Sequence, residues 1–176
     1  MTTARRKNIR LRGFDYTNNG LYYVTICCAN RENIFGEVVK APNCNHHEKR
    51  PCNTIAEGEY CTKLNQKGEV CKRVLEEIQS SQKQIWLREF IVMPNHIHFI
   101  AVISQNYEGA MSLATFVRFV KSSITRAIHE LWPEDDIWQK RYFEHIIRDD
   151  TDYERIVEYI ATNPTRWAIR KQDAHR

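Results

Sequence analysis

His96 and His98 stand one residue apart inside "FIVMPNHIHFIAVI" (90–103), a stretch that is otherwise almost wholly apolar. Side chains alternate across a strand, so two histidines at this spacing project from one face, side by side. Two neutral imidazoles on a rigid strand make half of a divalent-metal site. The competing reading is a pair of hydrogen-bonded core histidines. Tyr159 and Asn163 in "DYERIVEYIATNP" (152–164) offer complementary chemistry. Four apart on a helix, they share a face; Tyr153, six residues before Tyr159, points elsewhere. Asn163 precedes Pro164, and a pre-proline residue disfavours helix, so Asn163 marks the helix end. If this helix packs its Tyr/Asn face on the histidines, a metal held by His96, His98 and Asn163 sits beside a tyrosine hydroxyl. Taken alone, Tyr159 reads more readily as a core residue.

The H-x-H pair occurs in several metal-binding folds, and most do not suit this chain. A metallo-β-lactamase fold carries an Asp two residues after the second histidine, where Ile100 stands here. An amidohydrolase barrel needs at least ~200 residues, and this chain has 176. A cupin is nearly all strand, whereas helical periodicity recurs along this sequence.

The elements that must position these groups follow from pattern. Residues 20–39 read as a strand with a short hairpin return. Residues 40–67 are polar, aperiodic and Cys-rich, a surface loop or insertion. Val70, Val74, Leu75 and Ile78 predict an amphipathic helix over 68–82. Strands over 84–93 and 96–104 flank Pro94-Asn95, a tight-turn signal, and form an antiparallel hairpin. A second helix spans 112–132 with Ser112 as N-cap, an extended strand 137–148, and a last helix 149–164, opened by acids and stopped by Pro164. Strand, helix, strand, strand, helix, strand is the split βαβ, ferredoxin-like order. The fold class is therefore α+β: one domain over 1–176, an antiparallel sheet with helices on one face, and an extra C-terminal helix carrying the tyrosine on the other.

Composition bounds the partners. Net charge is +4 and hydrophobic residues make up 42%, as suits a globular chain. The basic arm "ARRKNIRLR" (4–12) places Arg5, Arg6, Lys7, Arg10 and Arg12 together without an acid, which suits a phosphate backbone or a solvated terminus. No signal peptide or membrane span is visible, so a cytoplasmic protein is expected, with its six cysteines as free thiols. Cys44, Cys52, Cys61 and Cys71, near His46 and His47, lack the C-x-x-C spacing of a zinc site.

"MPNHIHFI", "IWQKRYFEHIIRD" and "DYERIVEYIATNP", in this order and at this spacing, resemble the REP-associated tyrosine transposases, a group of single-tyrosine HUH transposases. The resemblance covers residues 5–39 and 68–167 and leaves the Cys-rich segment unmatched. It implies a nuclease acting on single-stranded DNA with hairpin repeats, as a monomer or a homodimer. It implies His96, His98 and Asn163 as ligands of Mg²⁺ or Mn²⁺ and Tyr159 as the nucleophile that forms a 5′-phosphotyrosine. Arg118, Lys121 and Arg148 join the arm as candidate DNA contacts. Glu144 and His145 are candidates for groups that orient the ligands, and Trp138 and Tyr142 for base stacking or the core. The rival readings are a non-catalytic nucleic-acid-binding module and a hydrolase using a metal-bound water.

Overall fold

The computed structural model describes residues 20–41, 59–81, 85–104, 111–133 and 136–173. Strand β1 (Gly20–Cys27) is flanked on both sides by antiparallel neighbours, β5 (His96–Ile103) and β6 (Phe143–Ile147). Strand β4 (Ile85–Met93) pairs with the outer edge of β5 through the Pro94–Asn95 turn, giving the sheet order β4-β5-β1-β6. Between β1 and the first helix, β2 (Gly36–Lys40) and β3 (Tyr60–Leu64) form a separate two-stranded ribbon. Helices α1 (Gln66–Ser80), α2 (Leu113–His129) and α3 (Asp150–Asp173) complete the chain. With the ribbon set aside, this is the ferredoxin-like order.

Alternation along β1 divides the molecule. Tyr22, Val24 and Ile26 point to one face and are fully buried with Phe99 of β5, Leu75 of α1 and Phe116 of α2. Tyr23 points to the other face, where it packs with Ile100, Ile147 and the α3 residues Ile156 and Ile160. Helices α1 and α2 therefore cover one side, and α3 alone covers the side carrying the histidines. Local chemistry fixes the helix starts. Asn65 Oδ1 accepts from Gly68 N at 3.0 Å, Ser112 Oγ from Thr115 N at 3.3 Å and Asp149 Oδ1 from Asp152 N at 2.8 Å.

Several elements depart from the sequence reading. Residues 36–40 do not return onto β1; they pair with Tyr60–Leu64, because the partner strand comes from inside the segment read as a loop. The remainder of that segment, 42–58, with Cys44, His46, His47 and Cys52, lies outside the described residues, as does the arm of Arg5, Arg6, Lys7, Arg10 and Arg12. Cys27, Cys28 and Cys71 are free thiols, but Cys61 is disulfide-bonded. Cys71 is fully buried in the core between the sheet and the helices α1 and α2. Strand β6 is shorter than expected; Trp138 upstream makes only an isolated bridge to Cys28.

The largest departure is α3, which runs through Pro164 to Asp173 instead of stopping there. A proline inside a helix forfeits one hydrogen bond and crowds the carbonyl four residues back, a cost of ~3 kcal/mol. Ile160, Ala161, Asn163 and Pro164 are buried around it, and Trp167 beyond it packs against His96. Burying a large apolar side chain contributes ~1.5–3 kcal/mol, so packing on both sides of the proline offsets its cost. Tyr153 also joins the sheet-facing side of α3, with the Arg88 guanidinium 4.8 Å from its ring centre. Among the described residues no helix is long and apolar enough to cross a membrane.

Gly68 provides a test of the ribbon–helix junction. A methyl group at its Cα would lie 2.1 Å from the Phe35 carbonyl oxygen. Alanine normally favours a helix over glycine by ~1 kcal/mol, so the sign of the effect reports the contact. Gly68→Ala is expected to lower the unfolding free energy by about 1–3 kcal/mol in urea denaturation. A stabilised variant would show that Phe35 and Gly68 do not touch this closely.

Candidate active site

The turn at Pro94–Asn95 makes His96 the first residue of β5, opposite Cys27 and Met93, with His98 opposite Thr25 and Ile91. The two imidazoles converge, their Nε2 atoms 2.9 Å apart. Asn95 Oδ1 lies 2.7 Å from His96 Nδ1. An amide oxygen only accepts, so His96 Nδ1 carries the proton and Nε2 the lone pair. On His98, Nδ1 sits 2.8 Å from both Tyr23 Oη and Thr25 Oγ1. Hydroxyls donate or accept. They can therefore serve the tautomer that donates from Nε2 to His96 and equally the one that leaves Nε2 free.

Burial keeps this pair neutral. His98 is almost fully buried, and burial, with His96 second, pushes its pKa well below 6.5. Burial lowers His96 to about 4. Burial likewise raises Tyr23, so its hydroxyl stays protonated beside His98. Neutral imidazole is the metal-binding form.

Helix α3 brings the remaining groups. Tyr159 packs against His98, ring centres 5.6 Å apart, and against Tyr23 at 6.1 Å. Two turns on, Trp167 packs against His96 at 5.6 Å. Asn163 lies midway between them on the same helical face and is buried. The helix thus spans the histidine pair, with Asn163 between its two contacts. Among the described residues no third His, Cys, Asp or Glu joins the pair. A hard cation accepts an amide carbonyl as ligand, and neighbouring ligands around an octahedral ion stand ~2.9 Å apart. The separation of the two Nε2 atoms fits that spacing, and Asn163 offers an amide of the right chemistry on the helix that covers the pair.

Other candidates fall elsewhere. Arg118 and Lys121 lie on α2, across the sheet from the histidines. Lys121 Nζ donates to the carbonyls of Gln139 at 2.6 Å and Lys140 at 3.3 Å, tying down the segment before β6. Backbone carbonyls thus engage its ammonium on the α2 side of the sheet. Arg148 is exposed in the short link between β6 and α3. His145 shares the face of Tyr23, but its Nε2 lies 2.7 Å from Asp152 Oδ2, and so it does not orient the pair. Glu144 projects to the opposite face, as its pairing with Val24 dictates. Trp138 packs on Phe35 and donates from Nε1 to the Lys121 carbonyl at 3.3 Å, and Tyr142 packs against the same core. The groups that do orient the histidines are Asn95, Tyr23 and Thr25. Alternation places Tyr23 and Thr25 on one face of β1; nothing in the sequence says that this face adjoins His98.

The family described as Transposase IS200 like matches residues 55–163. An uncharacterized protein of Haemophilus influenzae is 30% identical over 180 residues, covering 92% of this chain and 89% of that one. A REP-associated tyrosine transposase of Escherichia coli is 33% identical over 86 residues, 49% of this chain and 48% of that relative. The solved structure of a REP-associated tyrosine transposase bound to a REP hairpin shares the fold. It covers 94% of this chain and 74% of that one, with 19% identity and a TM-score of 0.51.

The buried pair makes the metal-free protein sensitive to acid. An unfolded histidine binds its proton near pH 6.5, folded His96 only near 4. The unfolded chain therefore takes up the extra proton as pH falls through that window. The stability in question is present above 6.5 and is lost on the way down to 4. In EDTA, urea denaturation at pH 7.5 and pH 5 is expected to differ by about 1–2 kcal/mol more in the wild type than in His96→Gln. Equal pH dependence in the two proteins would show that His96 is solvated.

Proposed function

The chain belongs to the IS200-like transposase family, and on that premise we propose that it cleaves and rejoins single-stranded DNA at hairpin repeats through Tyr159. The observation that carries this reading is the meeting of Tyr159 with His98, 5.6 Å between ring centres, on elements far apart in sequence. The relative of the same fold that is bound to a REP hairpin supports the choice of a hairpin substrate.

His96, His98 and Asn163 are the residues that would hold Mg²⁺ or Mn²⁺. Such an ion supplies charge neutralisation at the scissile phosphate. Asn95, Tyr23 and Thr25 fix the imidazoles so that both Nε2 atoms face one point. The Trp167 ring covers His96 and limits water there. Tyr159 Oη attacks phosphorus, its bond to phosphorus forming as the bond to the leaving 3′ oxygen breaks. The phenolic proton goes to solvent, and the 3′ oxygen takes one up. The products are a 5′-phosphotyrosine and a free 3′-OH. The ester conserves the bond, so a 3′-OH attacking it restores a phosphodiester and frees the tyrosine without ATP.

The test is a denaturing protein gel after incubation of labelled hairpin DNA, drawn from repeats flanking the gene, with Mg²⁺ or Mn²⁺. A metal-dependent covalent adduct is expected, with Tyr159→Phe and His96→Ala each reducing it by at least about 1,000-fold. Cleavage that survives in Tyr159→Phe would mean a metal-bound water as nucleophile. Tight binding without cleavage would leave a binding module.

Phosphate contacts by the basic arm are a second expectation. Replacing Arg5, Arg6, Lys7, Arg10 and Arg12 with glutamine should flatten the dependence of log Kd on log salt by ~0.7 for each phosphate no longer neutralised. An unchanged slope would place the arm away from the DNA.

A further inference from the structure

Tyr159 has a neighbour on its own helix as well as on the sheet. The Arg166 guanidinium carbon lies 5.5 Å from the centre of the Tyr159 ring. Two hydrogen bonds along α3 hold it there. Thr162 Oγ1 donates to the Glu158 carbonyl at 2.8 Å and accepts from Arg166 Nε at 3.0 Å. With Nε so engaged, the two terminal amino groups of the fork face outward from an exposed residue. Arg155 on the same helix is neutralised by Asp152, whereas Arg166 has no carboxylate partner among the described residues.

A phosphate attacked by Tyr159 must approach its hydroxyl to ~3–3.5 Å. Its non-bridging oxygens then come within reach of a guanidinium already beside the ring. A fork of planar N–H donors matches two such oxygens bidentately. A cation held by the histidine pair would serve this phosphate from the sheet; the Arg166 guanidinium would add positive charge from α3 on the same group as charge builds in the transition state.

We propose that Arg166 is a catalytic residue. Its guanidinium binds the non-bridging oxygens of the phosphate that Tyr159 attacks and, after cleavage, those of the phosphotyrosine ester. Thr162 is its positioning residue. The proposal rests on Tyr159 being the nucleophile.

The experiment measures single-turnover adduct formation and hairpin-DNA affinity in parallel, at matched thermal midpoints. Arg166→Gln is expected to slow adduct formation by about 100-fold while weakening binding by less than about tenfold. Arg166→Lys, which keeps the charge but not the fork, should fall between Gln and wild type. Thr162→Val should show a smaller loss, and Thr162→Ser should restore the rate. DNA with a methylphosphonate at the scissile position adds a readout that a merely structural role would not move. A methylphosphonate is uncharged in either stereoisomer, so the charge that Arg166 neutralises is gone, and wild type and Arg166→Gln should react at similar rates. Arg166→Gln reacting like wild type would overturn the proposal. So would a rate loss no greater than the binding loss, or a defect of the same size on the methylphosphonate DNA. Wild type forming no adduct, or Tyr159→Phe forming one, would remove the nucleophile assignment and this proposal with it. An adduct that depends on Tyr159 but not on Arg166 would remove this proposal alone.

Discussion

The register between β1 and β5 is the constraint on which the site depends. Thr25 stands opposite His98 and Cys27 opposite His96, so the hydroxyls of Tyr23 and Thr25 both reach His98 Nδ1. Strand side chains have a period of two, so a slip of one residue would turn every β5 side chain to the other face. His98 would then enter the α1–α2 core, and Phe99 would be pushed under α3. The register is protected by what it buries, since Tyr22, Val24, Ile26, Ile97 and Phe99 form the larger core. The packing of one face thus holds the chemistry of the other in place.

Helix α3 supplies the second half of the arrangement and settles the protonation state of the first. By covering the sheet it removes water from the histidines, which lowers their pKa values and keeps them as lone-pair donors at neutral pH. The same cover brings Tyr159 and Trp167 onto the two rings. A helix that ended at Pro164 would leave His96 without Trp167 and more exposed to protonation. Continuation through the proline is therefore a feature of the site as well as of the fold.

Charge is distributed unevenly around this arrangement. On α2, Arg118 stands across the sheet from the tyrosine and Lys121 is used internally, fastening the stretch that leads into β6. On α3, Asp152 takes up both His145 and Arg155 near the helix start, while Arg166 lies close to Tyr159 near its end. Arginine content alone does not distinguish these roles; what distinguishes them is whether a carboxylate or carbonyl already occupies the donor groups.

Residue order alone dictated most strands, the helices and the placing of His96 with His98 on one face, because periodicity and turn residues act locally. It also dictated that Tyr159 and Asn163 share a helical face, since 3.6 residues per turn brings positions four apart onto one side. It misplaced β2, whose partner lies about twenty residues away in a segment without period, and it ended α3 at Pro164. Both errors have one cause. A proline's penalty is local and legible, while the burial of Trp167 against His96 that offsets it exists only once the chain has folded. The roles of Asn95, Tyr23 and Thr25 were likewise settled by the fold, because a hydroxyl on β1 becomes a partner for His98 only through a register that no local pattern encodes.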